Sequence, residues 1–126
     1  MDAPRRDESL RLCPAIAFDR IVGGKYKLRI LWLLEQRPHR YGELRREIAC
    51  GSLGAEPTPR ILSRELKELQ QRGLISRRQY DVVPPRVEYS ITELGQTIMP
   101  IVSAIVQWGL AGSHERILDI AGAGEA

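Results

Sequence analysis

Apolar positions recur along this chain first at helical and then at strand spacing. Ile16, Ala17, Ile21 and Val22 predict a short helix over residues 14–22, which Gly23-Gly24 ends. Leu28, Ile30, Leu31, Leu33 and Leu34 give a broad apolar face to a second helix over 25–36, stopped by Arg37-Pro38. Tyr41, Leu44 and Ile48 stand at i, i+3 and i+7 and predict a third, short helix. Residues 50–57 are glycine-rich, carry no period and read as a loop. Thr58 and Pro59 then supply an N-cap and a first-turn proline to a fourth helix, which Gly73 closes. In 75–82, and again in 86–91, side chains alternate with period two around a Val83-Pro84-Pro85 turn, so the pair predicts a β-hairpin. Thr92 caps a last helix whose apolar stripe is Leu94, Ile98, Ile101, Val102, Ile105 and Trp108 or Gly109, with a kink expected at Pro100. Residues 114–120 can continue as helix, and 121–126 read as a disordered tail.

The order is four helices, a hairpin and a further helix. This predicts a mainly α fold with a small β-hairpin, on the winged helix-turn-helix plan. There are no internal repeats.

The segment 58–73 carries the chemistry. Leu62, Leu66 and Leu69 form one stripe that must face a core. Arg60, Arg64, Lys67 and Gln71 repeat at the same spacing roughly 160° round the helix. A buried face opposite a row of cations and amides suits the DNA major groove, where Arg or Lys pairs with guanine and Gln with adenine. Ser63 lies beside that row, and Thr58 at the helix N-terminus can hold a phosphate through free N–H groups. An ordinary solvated helix is the competing reading, supported by Glu65 and Glu68 beside the row.

Arg77, Arg78 and Arg86 lie on or next to the Pro-Pro turn, as on a hairpin that follows the DNA backbone with its tip toward the minor groove. One of Arg77 and Arg78 is expected to pair with Glu88 across the ladder, which leaves Arg86 as the better DNA contact. Lys25 and Arg40 complete the candidate DNA-binding set.

Charge supports a polyanion partner. The net charge is only +3 over 126 residues, but between Arg20 and Tyr89 fifteen basic residues face eight acidic ones. A chain of this length fits one domain. The reading divides it into a flexible N-terminal segment (1–12), a winged domain with dimerisation helices (13–109), and a C-terminal helix extension with a flexible tail (110–126). No apolar run approaches the roughly 18 residues of a membrane span. The charged N-terminus has no apolar signal core, so a cytoplasmic location and no membrane partner are expected. The two histidines, His39 and His114, belong to no triad, phosphate loop or carboxylate pair, which argues against an enzyme. Together with Cys13 and Cys50 they make no close pair of the kind zinc sites use, so neither metal nor cofactor is expected.

A set of short motifs then falls in one order: Cys13-Pro14, Gly24-Lys25-Tyr26-Lys27 with Ile30-Leu31, Arg40-Tyr41-Gly42-Glu43-Leu44, Leu62 with Leu66-Lys67-Glu68-Leu69, Gly73-Leu74-Ile75, Val83-Pro84-Pro85-Arg86-Val87-Glu88-Tyr89-Ser90, Thr92-Glu93-Leu94-Gly95 and Trp108-Gly109. Over residues 13–109 this resembles the HxlR-type regulators, relatives of the MarR group. The resemblance implies a homodimer on double-stranded DNA that controls nearby genes, with the first and last helices as the dimer interface. In this sequence that interface would take Ile16, Ile98, Ile101, Val102, Ile105 and Trp108. The loop 50–57 is longer than the turn usual in the family, which leaves the tilt of the reading helix to the tertiary structure.

Some members of that family answer oxidants or electrophiles through a cysteine near the N-terminus, and Cys13 holds the matching position. A bond from Cys13 of one subunit to Cys50 of the other would tie the dimer interface to the reading head. Two inert thiols are the alternative. A protein-binding winged helix, or a regulator switched by a small ligand without redox chemistry, also fits the pattern.

Overall fold

The computed structural model describes residues 13–50 and 56–125. The elements are α1 (Pro14–Val22), α2 (Lys27–Gln36), β1 (His39–Arg40), α3 (Tyr41–Cys50), α4 (Pro59–Gln71), β2 (Ile75–Tyr80), β3 (Arg86–Ile91), α5 (Glu93–Gln96), α6 (Met99–Leu110) and α7 (Ser113–Glu125). The segments 1–12 and 51–55, for which the sequence predicts a flexible arm and most of a long loop, lie outside the described residues.

The central element is α2. Its apolar face is too broad for one neighbour, and it packs against α3, α4, α6 and β3. Ile30, Leu31 and Leu34 of α2 are fully buried with Leu44 and Ile48 of α3 and Leu62, Leu66 and Leu69 of α4. Each such side chain contributes about 1.5–3 kcal/mol of apolar burial. Leu74, Ile75, Ile98, Met99 and Val102 close the core from the far side.

Beyond α4 the chain turns sharply. Gly73 takes the left-handed conformation, φ 77°, that ends many helices, and Leu74 N–H donates back to Leu69 O at 3.0 Å. The Thr92 hydroxyl donates to Gly73 O at 2.6 Å and accepts from Gly95 N–H at 3.0 Å. One side chain thus ties the end of α4, the foot of the hairpin and the start of α5. Gly95 is obligatory here, since a Cβ would lie 2.3 Å from Leu74 O and 2.7 Å from Ile91 Cγ1.

The sheet has three strands, all antiparallel, in the order β1-β3-β2. The sequence predicts only the hairpin. Two residues are too few to show alternation, and β1 exists because His39 and Arg40 pair with Tyr89 and Glu88. His39 is buried, with Nδ1 2.8 Å from Arg37 O and Nε2 3.1 Å from Glu47 Oε1, so its polar ring enters the core with both nitrogens partnered.

Other boundaries differ from expectation. The second helix starts at Lys27, behind the Tyr26 cap, and β2 ends at Tyr80, leaving Val82 in the turn. The last helix is broken rather than kinked: α5 ends before Thr97, and Pro100 sits in the first turn of α6, where its missing N–H costs nothing. The tail is not disordered over 121–125, because α7 continues to Glu125. Extending a formed helix adds one hydrogen bond per residue fixed. Among the described residues no single helix is long and apolar enough to cross a membrane.

Candidate nucleic-acid interface

Thr58 caps α4 as its sequence predicts: Oγ1 accepts from Ile61 N–H at 3.2 Å, and Pro59 occupies the first turn. The turn leading into α4 is fixed from α3. Tyr41 Oη donates to Pro59 O at 3.1 Å, Arg45 Nε donates to Pro57 O at 3.1 Å, and Arg45 also pairs with Glu56 at 3.2 Å. Pro57 is fully buried. α4 is therefore pinned at its start by Tyr41 and Arg45 of α3, a role that their sequence spacing does not reveal.

The two faces of α4 divide cleanly. Leu62, Leu66 and Leu69 are buried, whereas Arg60, Ser63, Arg64, Lys67 and Gln71 are exposed. The Arg64 side chain is 62% exposed, and its ionic neighbour is Glu65 at 3.7 Å. Among the described residues nothing covers the cationic row.

Glu65 does not lie in the solvated row. It is buried against Lys27 Nζ, which also lies 2.6 Å from Glu68 Oε1. Burial opposes the charge on Lys27, but its bonds to the two carboxylates outweigh burial and raise its pKa above the ordinary 10.5. The hydrogen bond from Lys27, reinforced by its charge, holds the Glu68 carboxyl below 4.5. The sequence signal for this cluster is position: Glu65 falls three residues after Leu62 and one before Leu66, on the flank of the buried stripe.

On the hairpin, Arg78 and Arg86 bracket one aromatic ring. Arg78 Cζ lies 4.7 Å and Arg86 Cζ 4.2 Å from the Tyr80 centroid. The register accounts for this, since Tyr80 stands opposite Arg86, and Arg78 two residues earlier stands opposite Glu88. Arg86 Nε also lies 3.8 Å from Glu88 Oε2. The expectation that Arg77 or Arg78 pairs with Glu88 is thus reversed. Arg86 takes that place, and Arg77 is exposed with no ion pair among the described residues. The hairpin turn is exposed, Val83 completely.

Arg40, exposed, joins Tyr41, Gly42 and residues 82–87 around a cleft of about 440 Å³ between the start of α3 and the hairpin turn. Its N–H donates to Glu43 Oε1 at 2.8 Å, which caps the start of α3. Lys25 is exposed beside the Tyr26 ring.

Cys13 and Cys50 are both exposed free thiols, at the start of α1 and the end of α3. Of the residues expected at a dimer interface, Ile16, Ile101, Ile105 and Trp108 are exposed, but Ile98 and Val102 are buried within this chain. Both belong to the buried core cluster and so serve this chain's own core.

Comparison with known proteins agrees with this architecture. The family model for HxlR-like helix-turn-helix proteins matches residues 21–116. An HTH-type transcriptional regulator of Halalkalibacterium halodurans is 43% identical over 95 residues, covering 75% of this chain and 79% of its own length. The HTH-type transcriptional regulator YkvN of Bacillus subtilis is 43% identical over 89 residues, covering 71% of this chain and 70% of its own length. Among solved structures, the oxidised form of the redox regulator HypR superposes with a TM-score of 0.70 at 37% identity, covering 79% of this chain and 96% of that one. The chain belongs to the HxlR-like helix-turn-helix family and is a DNA-binding transcriptional regulator.

Proposed function

We propose that this regulator binds duplex DNA as a homodimer on a palindromic operator and acts as a repressor. In this reading α4 enters the major groove, with Arg60, Arg64 and Lys67 toward base edges. Arg77, Arg78 and Arg86 follow the backbone beside it, with Lys25, Arg40 and Thr58 on phosphates. The observation that carries the reading is the division of α4 into a buried leucine face and an exposed cationic row. A two-fold dimer would place its half-sites ~34 Å apart or a multiple of that. Exposed Ile16, Ile101, Ile105 and Trp108 support a partner copy on α1 and α6. A dimer seated on its own promoter would exclude the polymerase by overlap.

Footprinting and gel shifts on the DNA upstream of its own coding sequence test this. A protected palindrome is expected, with affinity falling steeply between about 50 and 200 mM salt as phosphate contacts release counterions. Binding indifferent to salt, or no protected site, would remove the reading.

A redox input is the finer part of the proposal, supported by two exposed thiols and by the likeness to the redox regulator HypR. Cys13 of one subunit and Cys50 of the other would each lose a proton. A two-electron oxidant would take up the electron pair as the S–S bond forms. The two Cα atoms must come within about 7 Å. Non-reducing gels before and after mild peroxide decide it. A dimer-sized band lost in Cys13→Ser is expected. No band, with DNA binding unchanged by peroxide, would leave the thiols inert.

A further inference from the structure

The leucine face and the cationic row do not by themselves fix how α4 is turned about its axis. Apolar contact is non-directional and follows area. It holds the helix on the core but resists a small rotation weakly. A rotation of roughly 20° moves a side-chain tip at the helix surface by about 2 Å. That is more than the tolerance of about 0.5 Å within which a binding constellation works.

One flank of α4 carries a directional contact. Glu65 and Glu68 stand roughly 60° and 120° round from Leu62, between the buried face and the outward row. Both meet Lys27, whose side chain is only 6% exposed. The opposite flank, with Ser63 and Gln70, is exposed. Lys27 lies in the first turn of α2, where the helix dipole disfavours a cation, and that turn has no acidic residue and no side-chain cap of its own. The carboxylates of α4 are what make its position favourable. Because water cannot replace a lost partner at a buried charge, rotating α4 away from Lys27 is resisted far more sharply than sliding it over leucines. Arg64, in the outward row, lies 3.7 Å from Glu65, so clamp and row are adjacent.

We propose that Lys27 is a positioning residue of the DNA site: by gripping Glu65 and Glu68 it sets the rotation of α4 beyond the first turn that α3 pins, and hence which cations of the row meet base edges. This rests on the reading of α4 as the helix that enters the groove.

The test uses the full chain, a duplex selected by the wild type from a randomised pool, and a shuffled duplex of the same composition. Lys27→Met with Glu65→Leu removes one charge of each sign. Such apolar replacements are often neutral or stabilising, so Tm should hold or rise. Preference for the selected over the shuffled duplex should fall about tenfold or more, and re-selection with the variant should return a different or degenerate base pattern. The same base pattern, with preference kept within about twofold, would overturn the proposal. Should the double variant fail to fold, Glu68→Gln decides, at a side chain 39% exposed. It is expected to lower the preference about threefold, and an unchanged preference would overturn the role. If the wild type itself selects no sequence, the groove reading fails and this role with it, an outcome that the wild-type arm identifies separately.

Discussion

The hydroxyl of Tyr80 donates to Glu88 Oε1 at 3.0 Å across the hairpin, while the ring of the same residue lies under the guanidinium groups of Arg78 and Arg86. One tyrosine thus orders an acid and two cations on the strand pair. Tyr80→Phe removes the hydrogen bond alone, worth about 0.5–1.5 kcal/mol. Tyr80→Leu also removes the ring, at about 0.5–1 kcal/mol for each cation. Thermal melts should therefore rank wild type above Phe above Leu. DNA affinity should fall clearly only in the Leu variant, as its arginines lose their platform. Equal affinity in all three proteins would show that the platform is irrelevant to binding.

The row and the hairpin should fail differently. Arg60→Ala is expected to lose about 1–3 kcal/mol at one base position and relax preference there. Arg86→Ala should weaken binding evenly across sequences and lower the slope of log affinity against log salt by about one. Anisotropy titrations on matched and shuffled duplexes over a salt series separate the two. The opposite pattern would exchange their roles.

Thr58 closes the N-terminus of α4 with the bond to Ile61 N–H. Thr58→Ala should cost about 0.5–2 kcal/mol, seen as a lower denaturant midpoint at constant slope, and Thr58→Ser should restore most of it.

Gly95 admits no side chain, because a Cβ would meet the carbonyl oxygen of Leu74 at 2.3 Å. The obstacle is backbone and cannot swing aside. Gly95→Ala should destabilise by about 1–3 kcal/mol or more, and calorimetry reads the drop. A melt equal to wild type would mean that α5 docks otherwise.

Glu43 gives a pH signature. The N–H of Arg40 holds its carboxyl below the ordinary 4.5, against the opposing effect of burial and with help from the charge of Arg37. A carboxylate with a depressed folded pKa adds stability above its unfolded value. That stability is lost as pH falls through the folded one. Wild-type Tm should therefore drop below about pH 4.5, and Glu43→Gln should flatten part of that drop while lowering Tm at neutral pH. Parallel curves for both proteins would exclude the contribution.

Local chemistry was legible where one segment decides its own state. Thr58, Pro59 and the leucine spacing specify α4 without help, as period two and the Pro-Pro turn specify the hairpin. Where two distant segments must meet, pattern is silent. β1 has no period to read, and His39 becomes a strand residue only because Tyr89 is placed beside it.

The linear chain thus determined which residues are apolar and at what spacing, and so the helices, the hairpin and the amphipathic character of α4. Tertiary packing decided the pairing of charges. Glu65 and Glu68 look like solvated surface acids until α2 brings Lys27 against them. Arg86 looks free until the ladder register sets it on Tyr80 beside Glu88. Hydrophobic period is a property of neighbours along the chain, whereas an ion pair depends on which neighbours folding brings together, and on how little water remains between them.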